Sequence, residues 1–236
     1  MGFLGNKKRL SVSPDFAQVG LSWDEFVKLI IELTIEAYKL WKQNDDISIN
    51  REDNFTINLR RYINDLAYDK GYPITARSHQ KSYTDRMYSG EQDTKEAKEI
   101  DLMMYPKWGE QNRYDRIHFV WEAKLVGDKT IDQKYSPLNS EYVNEAIYRF
   151  IRNEYAADVA DAGVLGYVLA GNVTNIVRDI NQSMGRLRKN PKLDKSNHLK
   201  AKKSPVSQFD HMYQSKHKRD GRSPIELHHL FLTFDF

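Results

Sequence analysis

The sequence predicts an α/β fold, with a central mixed sheet flanked by helices on both faces. Three observations predict it. Two stretches, opening near Ser22 and Asn50, repeat apolar residues at helical spacing. Three shorter runs, at residues 72–82, 99–105 and 117–125, read as strands. An almost continuously apolar run at 162–170, AGVLGYVLA, reads as a central strand covered on both faces. Helices on both sides of such a sheet are the natural α/β arrangement.

Residues 1–20 are polar and aperiodic and read as an N-terminal arm. Residues 21–236 are of a length for one domain that buries most of its apolar surface without staples. Ser22 opens the first helix, with Glu25 three positions on as a capping-box partner. Its stripe is Trp23, Phe26, Val27, Ile30, Leu33, Thr34, Ala37, Tyr38 and Trp41, a packing face with no chemistry. A loop at 44–49 follows. The second helix runs over 50–70 and is closed by Gly71. Its stripe of Phe55, Leu59, Ile63 and Leu66, extended backward, leads to Glu52. A helix N-terminus favours an acid by roughly 0.3–1 kcal/mol, so Glu52 reads equally as a dipole partner or as a functional carboxylate. A strand at 72–82 and a polar loop or short helix at 83–98 come next.

The chemistry is concentrated in residues 99–126, EIDLMMYPKWGEQNRYDRIHFVWEAKLV. Alternate residues of a strand share a face. Ile117, Phe119, Trp121, Ala123 and Leu125 make one wholly apolar face; His118, Val120, Glu122 and Lys124 make the other. In the preceding run Ile100, Leu102 and Met104 share one face, and Asp101, Met103 and Tyr105 the other. Pro106 ends that strand and the polar stretch 107–115 can turn the chain back. Paired as a hairpin, the two strands bring Asp101 beside Glu122 and Lys124. Two carboxylates so placed can hold a hard divalent cation through oxygen, as Mg2+ prefers. The lysine can then orient or deprotonate a water. A cross-strand salt bridge on a half-exposed sheet is the plainer alternative.

After a loop at 127–137, a helix is expected from Asn139 or Ser140. Val143, Ile147, Phe150, Ile151 and Glu154 form one stripe; Tyr142, Glu145, Arg149 and Arg152 lie on another. Arginines three apart on one face can clamp phosphate, or they can simply pair with Glu145. The apolar strand at 162–170 follows. Asn172 then caps a helix whose inward residues are Val173, Ile176, Val177, Ile180, Met184 and Leu187, with Pro191 beyond its end. Residues 189–223 form a basic segment, expected to be mobile around 194–206. Ser215, His217, Lys218 and Arg219 cluster just before Gly221. Residues 225–236 read as a last strand.

Composition narrows the classes. Lys and Arg number 36 against 33 Asp and Glu, a net charge of +3. Residues 189–223 hold ten Lys and Arg against three Asp, so the rest of the chain is net negative. A basic segment on an acidic body suits a polyanion partner. The absence of cysteine removes disulfides, thiolate nucleophiles and Cys-based zinc sites. No apolar stretch has transmembrane length. MGFLGNKKRL lacks the apolar core of a signal peptide, and Asn6 stands where a myristoylation signal needs Ser or Thr. A cytoplasmic protein without membrane contact is expected. A zinc reading through His217, His228 and His229 fails on geometry, because adjacent His228 and His229 face opposite ways in a strand. H-E-x-x-H, P-loop lysine and G-x-S-x-G motifs are absent from the sequence.

An acidic helix, a strand aspartate, a strand ending in an acid-x-lysine triplet, a helix and a buried strand follow in that order. The residues are Glu52, Ile100-Asp101 and Glu122-Ala123-Lys124. This pattern resembles the PD-(D/E)xK nuclease superfamily over residues 50–170, with Asp101 and Glu122 a hairpin-sized 21 positions apart. Ile100 replaces the proline of the motif, a replacement the superfamily often makes. The layout also looks like that of small stand-alone nucleases of prokaryotic antiviral defence. The resemblance implies a restriction-endonuclease-like core. It implies that Asp101, Glu122 and the Ala123 carbonyl ligate Mg2+ or Mn2+, and that Glu52 completes the acidic cluster directly or through water. Lys124 would position the attacking water and stabilise charge on the scissile phosphate, and the product would be a cleaved phosphodiester, DNA ahead of RNA. Arg149, Arg152, His217, Lys218 and Arg219 are the candidates for holding the nucleic-acid backbone. An activating or targeting protein subunit and a homodimer are further expectations. The competing readings are a catalytically silent nuclease-fold protein that binds nucleic acid, and an adaptor whose basic segment docks an acidic protein.

Overall fold

Ser22 and Glu25 form the expected capping box: the Glu25 carboxylate accepts the Ser22 N–H at 2.6 Å, and Ser22 Oγ accepts the Glu25 N–H at 3.2 Å. This box opens α1 (Trp23–Asn44). The computed structural model describes residues 21–44, 51–82, 93, 95, 98–106, 118–156, 159–187, 189, 191–219 and 221–234. The expected N-terminal arm, most of the polar stretch 83–98, the turn at 107–115 and nearly all of the loop at 44–49 lie outside the described residues.

Helix α2 (Glu52–Asp69) ends where Gly71 takes a φ of +63°, a backbone state that favours glycine. Strands β1 (Ile74–Ser82), β2 (Lys98–Pro106) and β3 (Phe119–Val126) follow. Next comes one continuous helical stretch: α3 (Tyr135–Glu141), a π-helical middle (Tyr142–Ile147) and α4 (Tyr148–Ile151). Strand β4 (Asp161–Val168) leads to α5 (Val173–Arg186), whose N-terminus is capped by Asn172 accepting the Thr174 N–H at 2.8 Å. The chain closes with β5 (Lys200–Ala201), β6 (Met212–Arg219) and β7 (Arg222–Thr233).

The seven strands make one mixed sheet in the order β1-β2-β3-β4-β7-β6-β5. The β3-β4-β7 centre is parallel and the flanks are antiparallel. Helices α1 and α2 pack on one face, over Phe119, Trp121 and Ala123 of β3. The π-helical stretch and α5 pack on the other, over Val120 and Val126. The α/β class with helices on both faces is thus as expected. No helix among the described residues is long and apolar enough to cross a membrane.

Three local features differ from the sequence expectation. The helix expected from Asn139 starts at Tyr135, because Pro137 falls in its first turn, where the missing N–H has no intrahelical partner to lose. The π-helical turn then brings Tyr142, expected on the polar stripe, fully inward. Finally, the basic segment contains β5 and β6. The stretch expected to be mobile carries a turn capped by Asp194 and an N–H of Lys202 donated to the Met212 carbonyl at 2.9 Å.

Candidate active site

Among the described residues, strands β2 and β3 pair at Met104↔Phe119, Met103↔Val120 and Leu102↔Trp121. Beyond that point they part, at the level of Asp101 and Glu122. The partner strand β1 is irregular at the same level: His79, across from Asp101, has a φ of +56° and drops out of the β1-β2 register. Ile100 and Leu102 would share a face in a regular strand, yet they pack in opposite cores. Strand β2 is therefore bent at Asp101.

The parting exposes the β2-side edge of β3, whose backbone groups still need partners. Two carboxylates supply them. Asp101 Oδ2 accepts the Ala123 N–H at 2.7 Å, and Glu52 Oε2 accepts the Leu125 N–H at 3.2 Å. The Ala123 carbonyl points to the same side of the strand as its N–H, so it faces the gap as well.

Lys124 fills the middle. Its Nζ lies 2.8 Å from Glu52 Oε1, 3.4 Å from Glu122 Oε1 and 3.9 Å from Asp101 Oδ2. Burial alone would lower the lysine pKa, but Glu122, Glu52 and Asp101 outweigh it and raise it. The amine is held firmly as an ammonium. Burial raises the pKa of Glu52, and Lys124 offsets this only in part.

Glu122 is 1 % exposed. Burial and then the Asp101 charge push its carboxyl well above the usual range, against Lys124 and Arg149. Arg149 donates to Glu122 Oε1 at 3.0 Å, to the Tyr155 hydroxyl at 2.7 Å and to Glu145 Oε2 at 2.9 Å. Tyr155 in turn donates to the Glu99 carbonyl at 2.8 Å, tying α4 back to β2. Four carboxyl groups thus share two cations.

The donor atoms here are of the oxygen type that a hard divalent ion takes. Glu122 Oε2 is buried with no hydrogen-bond partner, a condition that costs free energy unless something else binds the oxygen. It stands with Asp101 and the Ala123 carbonyl as an all-oxygen set, the kind that Mg2+ and Mn2+ take. Both Glu52 oxygens are engaged, Oε1 by the Lys124 ammonium and Oε2 by the Leu125 N–H. The ammonium keeps the three acids apart; among the described residues, three ligand atoms converge within 4.8 Å only at Asp161, Glu226 and His228.

The structure brings Glu52, Asp101, Glu122, Ala123, Lys124 and Arg149 together. The remaining phosphate candidates lie elsewhere. His217 and Arg219 are corrected: alternation along β6 turns them inward, to 1 % and 7 % exposure. Arg219 spends its guanidinium on the carbonyls of Ser223, Ala156 and Val159. His217 bonds Ser215 Oγ, and burial holds its pKa down to about 4. Lys218 is exposed, and so is Arg152, which lies over the Tyr148 ring at 5.4 Å. Arg149 is turned to Glu122 rather than to solvent. Tyr155 and Glu99 were missed as supports, and only the Arg149–Glu145 spacing of four was a readable signal. No protein-family model, curated protein or solved structure matches the chain.

Proposed function

We propose that the chain is a divalent-metal-dependent phosphodiester hydrolase, an endonuclease acting on DNA, of the PD-(D/E)xK kind that its sequence resembles. The observation that carries this reading is the convergence of Glu52, Asp101 and Glu122 on the Lys124 ammonium where two strands part. The order of helix, three strands, helix and buried strand around it agrees with the same reading.

Asp101, Glu122 and the Ala123 carbonyl would hold the ion, which when bound supplies Lewis-acid stabilisation of phosphate charge and a more acidic water. The chain's own residues do the rest. Lys124 has three donors on one ammonium. One is committed to Glu52 and the Glu122 carboxyl lies 3.4 Å away; in this reading the ammonium would donate to a non-bridging phosphate oxygen and to the attacking water. Its raised pKa makes it an electrostatic and positioning group, not the base. The water oxygen forms the new bond to phosphorus as the ester P–O bond breaks. Arg149 fixes the Glu122 carboxyl by donating to Oε1, and Oε2 is left without a hydrogen bond.

Supercoiled plasmid incubated with Mg2+ tests the reading. Wild type is expected to nick or linearise it, and Lys124→Ala and Asp101→Asn to leave it intact. A wild-type chain that cuts neither DNA nor RNA with Mg2+ or Mn2+ overturns it.

A further inference from the structure

The first face of the sheet carries a second convergence of ligand atoms, apart from Lys124. Asp161 and Glu226 stand in register on the parallel strands β4 and β7, and His228 follows two positions on, on the same side. One ligand atom from each lies within 4.8 Å of the others. His228 Nε2 is 3.1 Å from Asp161 Oδ1. Each acid is oriented from behind: the Trp23 indole N–H donates to Asp161 Oδ2 at 2.7 Å, and the Gln214 amide donates to Glu226 Oε1. His228 is 6 % exposed, and its Nδ1 is buried with no partner. The ring presents Nε2, not Nδ1, to Asp161. Among the described residues no Lys or Arg is within ion-pair distance of either acid; Lys216, opposite Glu226 on β6, is turned to solvent.

We propose that Asp161, Glu226 and His228 form a metal site for Zn2+, independent of the hydrolytic reading. One imidazole nitrogen and two carboxylates suit zinc, whereas Mg2+ prefers oxygen alone. Bonds of about 2.0–2.1 Å in a tetrahedron put neighbouring ligand atoms roughly 3.3 Å apart. The observed 3.1 Å between His228 and Asp161 already has that spacing. Three protein ligands leave a fourth position for water. Trp23 and Gln214 are the outer hydrogen bonds that aim such ligands. Binding at Nε2 moves the imidazole proton to Nδ1 or releases it. Through Trp23, the ion would tie the start of α1 to β4 and β7.

The test uses the full chain, stripped of metal, dialysed against Zn2+ under a large excess of Mg2+. Wild type is expected to retain one Zn2+ per chain and to melt at a higher temperature with it. Glu226→Gln and His228→Ala are expected to lose that ion, Trp23→Phe to weaken it about tenfold, and Asp101→Asn to keep it. Glu226→Gln is half-buried and near-isosteric, so it decides the matter even if His228→Ala fails to fold. A wild-type chain that takes up no Zn2+ under these conditions, or a Glu226→Gln chain that binds it as wild type does, overturns the proposal.

Discussion

Asp101 Oδ2 accepts the Ala123 backbone N–H at 2.7 Å, so one carboxylate both seals the open edge of β3 and faces the Lys124 ammonium. The two jobs separate by substitution. Asp101→Asn keeps an oxygen that can accept the N–H but loses the charge. It is expected to unfold in urea close to wild type while losing metal-dependent cleavage. Asp101→Ala strands the N–H as well and is expected to cost about 1–3 kcal/mol. Equal stability of the two variants would contradict the assignment of that hydrogen bond.

Arg149 holds Glu122 through a 3.0 Å hydrogen bond. Arg149→Met leaves the buried carboxylate with Lys124 alone and is expected to destabilise by about 3–5 kcal/mol. Arg149→Lys recovers little, because one ammonium cannot reach Glu122, Tyr155 and Glu145 together. The salt dependence of DNA retention gives the complementary readout. Loss of a phosphate contact lowers the slope by about one. The slope is expected to fall for Arg152→Ala and to stay unchanged for Arg149→Met.

Gly163 lies under Trp121. A Cβ there would stand 2.0 Å from the indole Cε3, and Trp121 is fully buried on the strand that carries Glu122 and Lys124. Gly163→Ala is therefore expected to destabilise by about 1–3 kcal/mol and to reduce cleavage together with stability. Gly185, in α5, meets nothing within 4 Å. Gly185→Ala is expected to stabilise by roughly 0.5–1 kcal/mol, measured in the same urea series.

Asp128 follows β3 and anchors the next loop. Burial would raise its pKa, but hydrogen bonds from the Thr130 hydroxyl and N–H, Asn175 and the Asn172 N–H hold it down to about 2. A depressed carboxyl contributes stability above its unfolded pKa and loses it as pH falls through the folded one. Here that window runs from about pH 4 to about pH 2, and the contribution is about 2 kcal/mol. Asp128→Ala is expected to lower stability at pH 5 and to narrow the gap from wild type by pH 2. A constant gap across that range would contradict the shift.

The central hairpin was legible because its signal is local. Alternation of Phe119, Trp121 and Ala123 against Val120, Glu122 and Lys124 states both the buried face and the chemical one. Glu52 could be found by extending the α2 stripe. The β6 strand could not be read, because beyond Met212 its inward residues are Ser215, His217 and Arg219, types that look like surface until their partners are known. Those partners are as far as 63 positions away in sequence for Arg219. The role of Arg149 was hidden for the same reason, since Glu122 is 27 positions distant. A π-helical turn, which shifts Tyr142 inward, leaves no periodic mark of its own.

A crystal soaked with Mn2+, read by anomalous scattering, tests the central claim most directly. A peak is expected within bonding distance of Asp101, Glu122 and the Ala123 carbonyl, with Glu122 Oε2 turned onto it and the peak lost in Asp101→Asn. A soaked crystal with no density at that gap, while Lys124 stays locked among the three acids, would contradict it.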